Sequence, residues 1–397
     1  MRSRKGARSP LRRNVVKKLN DMRFIVNSQL LLENLQSLSG LLVENKALPI
    51  LEKCLFRISG NNLTLVASDS ESVAVVDIAL DEVSGEGAVA VPARSLLDAL
   101  KTMPNIPLIF NVDEATSGIE ISGGQGQYKL TGEAADTYPE IPQMGGDAAI
   151  ATISSDILVR AISKTIFATG NDQLRATMCG VLFEMKPDGM TFVATDAHKL
   201  VRYRRSDIKT PAEASFVVPK KALNLLKNML TINKEAVPVQ MEANEKNVFF
   251  QFGNVHISCR LVDGRYPNYQ AVIPTDNPNK LTVARQAFLT CVKRSCIFAN
   301  KAIPQVRLTM SGGNEVLVST EDVENSSASK ERVACQYEGD PLEIGFNARY
   351  FVEILTTLES EDVCLHMSMP NRAGLIVPMG ESDENEDILM LMMPMMM

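Results

Sequence analysis

The chain has 397 residues, of which 45% are hydrophobic and 22% are charged, a balance typical of globular proteins with buried cores. It contains no apolar run approaching the roughly 18 residues that a membrane-spanning helix needs. The seven cysteines form no CxxC motif and do not cluster with the three histidines. We therefore expect reduced thiols in a cytosol, with no structural metal and no cofactor.

The net charge of −6 is unevenly distributed. Residues 1–21 contain eight Lys or Arg and one Asp, so they carry +7 and the remainder carries −13. We interpret residues 1–21 as a disordered basic extension before a strand that opens at Met22, with an organelle transit peptide as the alternative. An acidic body argues against nucleic-acid binding over the whole surface, but it is compatible with one basic face.

The first elements alternate between helix and strands. The patterns predict an apolar helix at 30–42, strands within 48–58 and 63–80, a helix opened by Pro92, and strands at 106–112, 117–122 and 126–132. This order predicts an α+β domain in which two helices pack on one face of an antiparallel sheet.

The second of these helices occurs three times, with a period of about 127 residues. Val91, Val218 and Phe346 open the related stretches VPARSLLDALKTM, VPKKALNLLKNML and FNARYFVEILTTL. In the middle copy, Pro219 suits the first helical position, and apolar residues recur at helical spacing behind it.

Three further markers share this period. The first helix recurs at 30–42, 157–167 and 288–298; an acid-ending strand recurs at 65–69, 192–196 and 317–321; Tyr138-Pro139 recurs as Tyr266-Pro267 and is echoed by Met393-Pro394. Because the period is the size of a domain, the pattern predicts three tandem copies, at 22–146, 147–269 and 274–397.

The third copy has two features of its own. An acidic insertion at 381–387 precedes its last strand, and we expect a solvated loop there. The chain then ends ILMLMMPMMM, and flexible methionines suit a binding surface that adapts to several partners.

The motifs that carry catalysis are scarce. There is no GxxxxGK[ST] phosphate loop, and the glycines at 123–126 lie between predicted strands, which indicates a turn. Asp196 and His198 resemble an acid–base pair, with Ser206 nearby. However, Asp69 and Glu321 are acidic at the corresponding positions, so we expect Asp196 to cap a turn.

Basic residues recur on the predicted helices. The pairs are Arg94 with Lys101, Lys220 with Lys227, and Arg160 with Lys164, while the third copy has Arg285, Lys293, Arg294 and Arg349. Each alone fits a solvated helix face. Equivalent helices arranged in an arc would instead align these charges against phosphates, without reading base sequence.

Four stretches together are recognisable. VATDAHKL at 193–200, RLVDGRYPNYQAVIP at 260–274, IGFNARY at 344–350 and the terminal MPMMM resemble the bacterial sliding clamp family, the beta subunit of DNA polymerase III. The resemblance runs from Met22 to the end. It implies three clamp domains per chain and a head-to-tail dimeric ring, with helices lining the hole and sheets outside. It also implies a non-catalytic processivity factor that encircles duplex DNA and tethers the replicative polymerase.

The resemblance also implies functional residues. The peptide-binding pocket would use Met178, Thr195, Ala197, His198, Lys199, Leu200, Pro267, Val272, Met393, Pro394 and Met395. The DNA-facing residues would be Lys46, Arg94, Lys101, Arg175, Lys220, Lys221, Lys227 and Arg265. The dimer contact would use Tyr128, Ile297 and Phe298. Implied partners are duplex DNA, a second copy, the polymerase, the clamp loader and other proteins with short clamp-binding peptides, in a bacterial cytoplasm at the nucleoid.

Departures from the family pattern lie at the same sites. Ala197 stands where the family usually has Gly, so we expect an ordinary backbone conformation and a slightly different corner. The tail lacks the Arg of the common ending MPMRL, and Asn45-Lys46 stands where an arginine often contacts DNA. Two other hypotheses stay open: a repetitive protein-interaction scaffold that does not bind DNA, and a hydrolase that uses Asp196 and His198.

Overall fold

A computed structural model describes residues 21–143, 145, 148–232, 235–380 and 383–396. Most of the predicted basic extension, residues 1–20, lies outside the described residues. Internal contacts divide the chain into two compact units. The first contains the residues up to 70 together with 74–140, and the second contains 71–73 together with the chain from 141 onward.

Six α-helices are found in the described residues, two in each predicted copy. They are α1 (Ser28–Leu38), α2 (Ala93–Leu100), α3 (Ser155–Thr165), α4 (Lys220–Leu230), α5 (Arg285–Phe298) and α6 (Ala348–Thr357). All six predicted helices are confirmed, with ends shifted by a few residues. Pro219 is the N-cap of α4 rather than its first residue.

The apolar stripes explain why these segments form helices. In α4 the residues spaced three and four apart are buried, among them Leu223, Leu226 and Leu230. Two other helices are capped at their N-termini by Asn side chains. Asn27 accepts hydrogen bonds from the first free amides of α1, and Asn347 does so for α6.

Ten strands belong to the first copy. They are β1 (Asp21–Asn27), β2 (Cys54–Ser59), β3 (Asn62–Ser68), β4 (Ser72–Ala79), β5 (Val83–Ser84), β6 (Gly87–Val91), β7 (Pro107–Asp113), β8 (Gly118–Gly123), β9 (Gly126–Thr131) and β10 (Glu133–Ala134). They form two antiparallel groups, in the orders β5-β1-β7-β8-β9 and β10-β6-β2-β3-β4. The predicted sheet is therefore split into two groups.

Sixteen strands follow in the second unit, as far as it is described. They are β11 (Ala149–Ser154), β12 (Gly180–Lys186), β13 (Gly189–Thr195), β14 (Lys199–Arg205), β15 (Ala214–Pro219), β16 (Pro238–Ala243), β17 (Asn247–Phe252), β18 (Val255–Arg260), β19 (Asn279–Ala284), β20 (Gln305–Met310), β21 (Glu315–Asp322), β22 (Ser327–Glu338), β23 (Leu342–Asn347), β24 (Asp362–Met367), β25 (Gly374–Met379) and β26 (Glu386–Met392). The orders are β18-β17-β16-β11 and β15-β12-β13-β14-β26-β25-β24-β19-β22-β21-β20-β23.

The long sheet joins the second and third copies. β14 pairs with β26 along its whole length, from Lys199 opposite Met392 to Arg205 opposite Glu386. This ladder makes the two copies one body, and it places α3 of the second copy beside the end of α6 of the third.

The predicted solvated loop is confirmed only in part: Asp383 and Glu384 are exposed ahead of β26, whereas Glu386 and Asp387 belong to that strand. Glu386 begins β26 with a side chain only 7% exposed, and Arg160 bonds it at 2.6 Å through Nε. Tyr203 donates a hydrogen bond to Glu386 at 2.8 Å. Arg205, itself buried, pairs with Asp207 and with Asp383. Residues 381 and 382 lie outside the described part.

A second set of contacts continues this network. Glu359, just after α6, forms ion pairs with Arg160 at 2.6 Å and with the buried Lys164 at 2.8 Å. Lys164 also donates to the carbonyl of Thr357. The two cations lower the pKa of Glu359 to about 2 by hydrogen bonding and charge. We name Arg160, Lys164, Arg205, Glu359 and Glu386 the junction network.

Acid should weaken this junction. Because the folded-state pKa values of Glu359 and Glu386 are lowered, their contribution to stability is present above about pH 4.5 and is lost as the pH falls below it. For Glu359, whose pKa is about 2, the loss extends down to about pH 2. We expect Glu386→Gln to lower stability at pH 7 by about 3 kcal/mol, because it removes the buried charge that Arg160 bonds in bidentate fashion. Thermal melts from pH 7 to 3 test this. The loss caused by Glu386→Gln should shrink with acid, and a constant loss would contradict it.

Candidate functional site

The turn between β13 and β14 is built by side chains that bond the backbone. Asp196 Oδ1 accepts hydrogen bonds from the amides of His198 and Lys199, both at 2.9 Å. Thr195 Oγ1 accepts from the amide of Ala197 at 3.1 Å and donates to the carbonyl of Lys199. The geometry confirms the predicted capping role of Asp196, and it holds the His198 side chain outward.

Ala197 has a left-handed backbone with φ of 76°, so the expectation of an ordinary conformation was wrong. Ser70 has φ of 78° at the matching corner of the first copy. The capping bonds of Asp196 and Thr195 hold this shape although the Cβ disfavours it. The corner therefore keeps the conformation that glycine would adopt more easily.

The matching acid in the third copy is Asp322 and not Glu321, which corrects the sequence comparison. Alternation along β21 buries Asp322 at 4% exposure and leaves Glu321 exposed. Asp322 Oδ1 accepts from the amide of Asn325, as Asp196 does from its own turn. In the third copy this strand is therefore offset by one residue from the alignment that the sequence motifs suggest.

A cavity of about 410 Å³ opens beside this turn. Lys199 is buried beneath it and pairs with Asp196 at 3.0 Å and with Glu353 of α6 at 2.8 Å. Its ammonium also lies 4.2 Å from the centre of the Tyr350 ring. The His198 ring stacks on Tyr350 at 6.2 Å. The cavity therefore lies at the junction of the second and third copies.

The opposite wall comes from a kinked 3₁₀ segment, Gln173–Cys179. Arg175 and Met178 of this segment line the cavity, and so does Lys220 at the start of α4. Arg175 pairs with Asp172 at 3.1 Å. Residues predicted for DNA contact and for peptide contact thus share one cavity. Leu174, which the sequence did not single out, is 96% exposed on the same segment.

The C-terminal tail runs along the other side of the turn. The Met393 amide donates to the carbonyl of His198 at 2.8 Å, and the Met395 amide donates to the carbonyl of Gly345 at 2.8 Å. Met393 is 40% exposed, whereas Pro394 and Met395 are half-buried. The backbone of the tail is therefore fixed while Met393 presents its side chain to solvent.

Leu200, Pro267 and Val272 lie in different environments. Leu200 is 2% exposed in an apolar cluster with Tyr266 and Leu391. Pro267 is half-buried and Val272 is 53% exposed on the segment that follows Tyr266. None of the three is among the residues that line the 410 Å³ cavity: Leu200 belongs to the apolar cluster beside it, and the other two lie nearer the surface.

Met393-Pro394 does not occupy the place of the Tyr-Pro pairs, which corrects the third marker. Tyr138 and Tyr266 are buried, and their hydroxyls donate to the carbonyls of Val66 and Val193. They come several residues after β9 and β18, whereas Met393 directly follows β26. The acidic insertion shifts the third copy and makes the spacing match by coincidence.

The third copy also lacks the apolar face that these tyrosines cover. The strand pairing places three residues side by side on three neighbouring strands at the same place in each copy. They are Leu55, Val66 and Ala90 in the first copy, Leu182, Val193 and Val217 in the second, and Arg307, Ser319 and Gly345 in the third. The last set is polar or lacks a side chain, so the third copy has no need of a covering tyrosine.

The predicted DNA-facing residues differ in their partners. Within the described residues, Lys46, Arg94, Lys220, Lys227 and Arg265 form no ion pair, while Lys101 pairs with Asp98, and Lys221 has an interaction of its own. Other helix cations are engaged: Arg160 and Lys164 in the junction network, Arg294 with Glu331, and Arg285 and Arg349 with backbone carbonyls. The aligned rows expected on all helices are therefore incomplete.

The predicted dimer residues are exposed. Tyr128 on β9 is 42% exposed, and Ile297 and Phe298 at the end of α5 are 78% and 43% exposed. Ile303 and Val323, at 61% and 80%, are further exposed apolar residues of the third copy that the sequence analysis missed. Their loop positions outside any periodic pattern gave no signal.

No group of three His, Cys, Asp or Glu side chains that could hold a metal ion occurs in the described residues. In the same part of the chain, none of the helices combines the length and apolarity that crossing a membrane would need.

Comparisons with known proteins match this architecture. Family models of the DNA polymerase III beta subunit match residues 22–142 as the N-terminal domain, 152–268 as the central domain and 270–396 as the C-terminal domain. The chain belongs to the DNA polymerase III beta subunit family. It contains three clamp domains and functions as a DNA sliding clamp, a non-catalytic processivity subunit. The scaffold and hydrolase hypotheses are not favoured.

Individual relatives agree with the family models. The beta sliding clamp of Synechococcus elongatus is 30% identical over 75% of this chain and 80% of its own length. That of Pseudomonas putida is 28% identical over 94% of this chain and 100% of its own. A crystal structure of the Pseudomonas aeruginosa sliding clamp superposes with a TM-score of 0.87 at 26% identity, covering 95% of this chain and 100% of that one.

The strain at Ala197 predicts a gain of stability in this clamp. We expect Ala197→Gly to stabilise the fold by about 1 kcal/mol, because glycine adopts φ of 76° without the Cβ clash. Thermal or urea unfolding measures it. Ala194→Gly, in buried β13, is the matched control and should destabilise the fold. A loss of stability in Ala197→Gly would contradict the argument.

Proposed function

We propose that two copies of this chain close head to tail into a ring around duplex DNA. Three tandem domains with different ends make a heterologous contact, which must either close or polymerise. The exposed Tyr128, Ile297 and Phe298 supply apolar candidates for that contact. A ring that slides on DNA would place the protein in the bacterial cytoplasm, at the nucleoid.

DNA contact in this proposal is weak and independent of base sequence. The candidates are cations on helices and loops, which neutralise phosphates but carry no base-reading pattern. Arg94 on α2 and Lys220 and Lys227 on α4 support it best, since none has an ion-pair partner in the described residues.

Replacing these three helix cations should reduce the salt dependence of DNA binding. We expect Arg94→Ala, Lys220→Ala and Lys227→Ala together to reduce the slope of log K against log salt by about one unit per lost phosphate contact. Anisotropy of a labelled duplex over a salt series measures the slope. Lys186→Ala, at the exposed end of β12, is the control and should leave it unchanged. An unaltered slope in the triple variant would place the DNA path elsewhere.

We also propose that the junction cavity and the adjoining tail bind short peptides that end in apolar residues. The observation that carries this proposal is the open cavity of about 410 Å³, next to a turn whose far side holds the exposed Met393. An adaptable thioether suits several partners, and an exposed apolar terminus indicates a contact site. The replicative polymerase, the clamp loader and other replication or repair proteins would carry such peptides.

A charge at Met393 should separate binding from folding. We expect Met393→Asp to weaken the binding of a fluorescein-labelled nonapeptide with two apolar C-terminal residues. The loss in binding free energy should be about 2 kcal/mol or more, the scale of an interface hot spot. The melting temperature should stay unchanged because the Met393 side chain is 40% exposed. Fluorescence anisotropy and a thermal melt measure the two effects.

The control is a buried residue next to the same turn. Leu200→Ala removes a side chain that is 2% exposed, so it should lower stability by about 2 to 5 kcal/mol. Full peptide affinity in Met393→Asp would exclude the tail from the pocket.

A further inference from the structure

The cavity and the junction network share two helices. α6 carries Tyr350 and Glu353 to the cavity, and its C-terminal end meets α3 at Thr357 and Glu359. α3 leads through the 3₁₀ turn Ile166–Ala168 into residues that also line the cavity. α6 therefore carries cavity residues in its N-terminal and middle turns and contacts α3 at its C-terminal end, and the C-terminal end of α3 leads into the cavity.

We infer that Arg160, Lys164 and Glu359 are positioning residues for the cavity, because they hold the end of α6 against α3. This inference rests on the proposed peptide-binding function of the cavity. None of these three residues is among those that line the cavity.

The end of α6 is fixed chiefly by side chains of other elements. The last carbonyls of a helix have no donor within it. Lys164 Nζ donates to Thr357 O, and Arg285 donates to Leu355 O at 3.1 Å. Glu359 is 65% exposed, yet two cations hold it at 2.6 and 2.8 Å. Removing its charge would leave α6 with fewer contacts to α3.

The cavity depends on the position of α6 at its other end. Glu353 must lie 2.8 Å from Lys199 Nζ, and the Tyr350 ring must lie 4.2 Å from the same atom and 6.2 Å from the His198 ring. A helix of ten residues is a stiff rod about 15 Å long, so a shift at one end moves the other. A displacement of about 1 Å is enough to degrade a preorganised site.

The test compares Glu359→Gln with a matched ion-pair variant. Asp387 pairs with Arg202 at 2.6 Å between β14 and β26, so Asp387→Asn loosens the same junction without touching α6. The readouts are the C2 proton resonance of His198, the affinity for the labelled nonapeptide and the melting temperature. The protein has only three histidines, which makes the resonance assignable.

We expect Glu359→Gln to shift the His198 resonance and to lower the affinity for the peptide about fivefold. Asp387→Asn should change neither the resonance nor the affinity. Arg160→Lys keeps the charge but loses bidentate geometry, so its effect should be smaller. An unmoved resonance and an affinity within twofold of wild type would overturn the inference, as would equal effects of both variants.

The outcomes also separate this inference from the proposed function. If the wild-type clamp binds no peptide, the proposed function fails, and the His198 resonance alone then decides whether Glu359 positions the cavity. A resonance shift with no loss of peptide affinity would show that α6 moves but that the peptide does not depend on it, which overturns the positioning role.

Discussion

The ladder between β14 and β26 is the contact on which the candidate peptide site depends. It joins the second and third domains in one sheet, with Lys199 opposite Met392 and Arg205 opposite Glu386. One end of this ladder brings the His198 turn beside the C-terminal tail. The other end brings Arg205 beside the acidic residues of the third domain. The candidate peptide site and the junction network therefore lie at opposite ends of the same strand ladder.

Buried cations mark both ends. Lys199, Lys164 and Arg205 are each about 5% exposed, and each pairs with a carboxylate of the other domain. Burying such a charge costs more free energy than a surface pair returns, so these pairs are weak evidence for stability. They instead favour one position of α3 against α6, because a shifted position would leave a buried charge unpaired and would be higher in free energy. Specific geometry is what a docking cavity requires.

The three domains share a fold but differ in how a strand face is covered. Tyr266 packs in one cluster with Leu182, Val193 and Val217 in the second domain, and the hydroxyls of Tyr138 and Tyr266 donate to backbone carbonyls in the first and second domains. In the third domain the matching positions are Arg307, Ser319 and Gly345, and the tail crosses at Gly345 instead. A difference at three matching positions therefore goes with a different covering segment in the third domain.

The sequence by itself determined the repeated α+β domain, the six helices and the absence of familiar catalytic motifs, because periodicity and capping are local properties. Its motifs also indicated the clamp family. Tertiary structure decided the rest. The left-handed Ala197 depends on bonds from Asp196 and Thr195, and the alignment of Asp322 depends on which face of β21 is buried. The partners of Arg160 and Lys164 lie about 200 residues away along the chain, and no local pattern shows whether such a cation faces solvent or another domain.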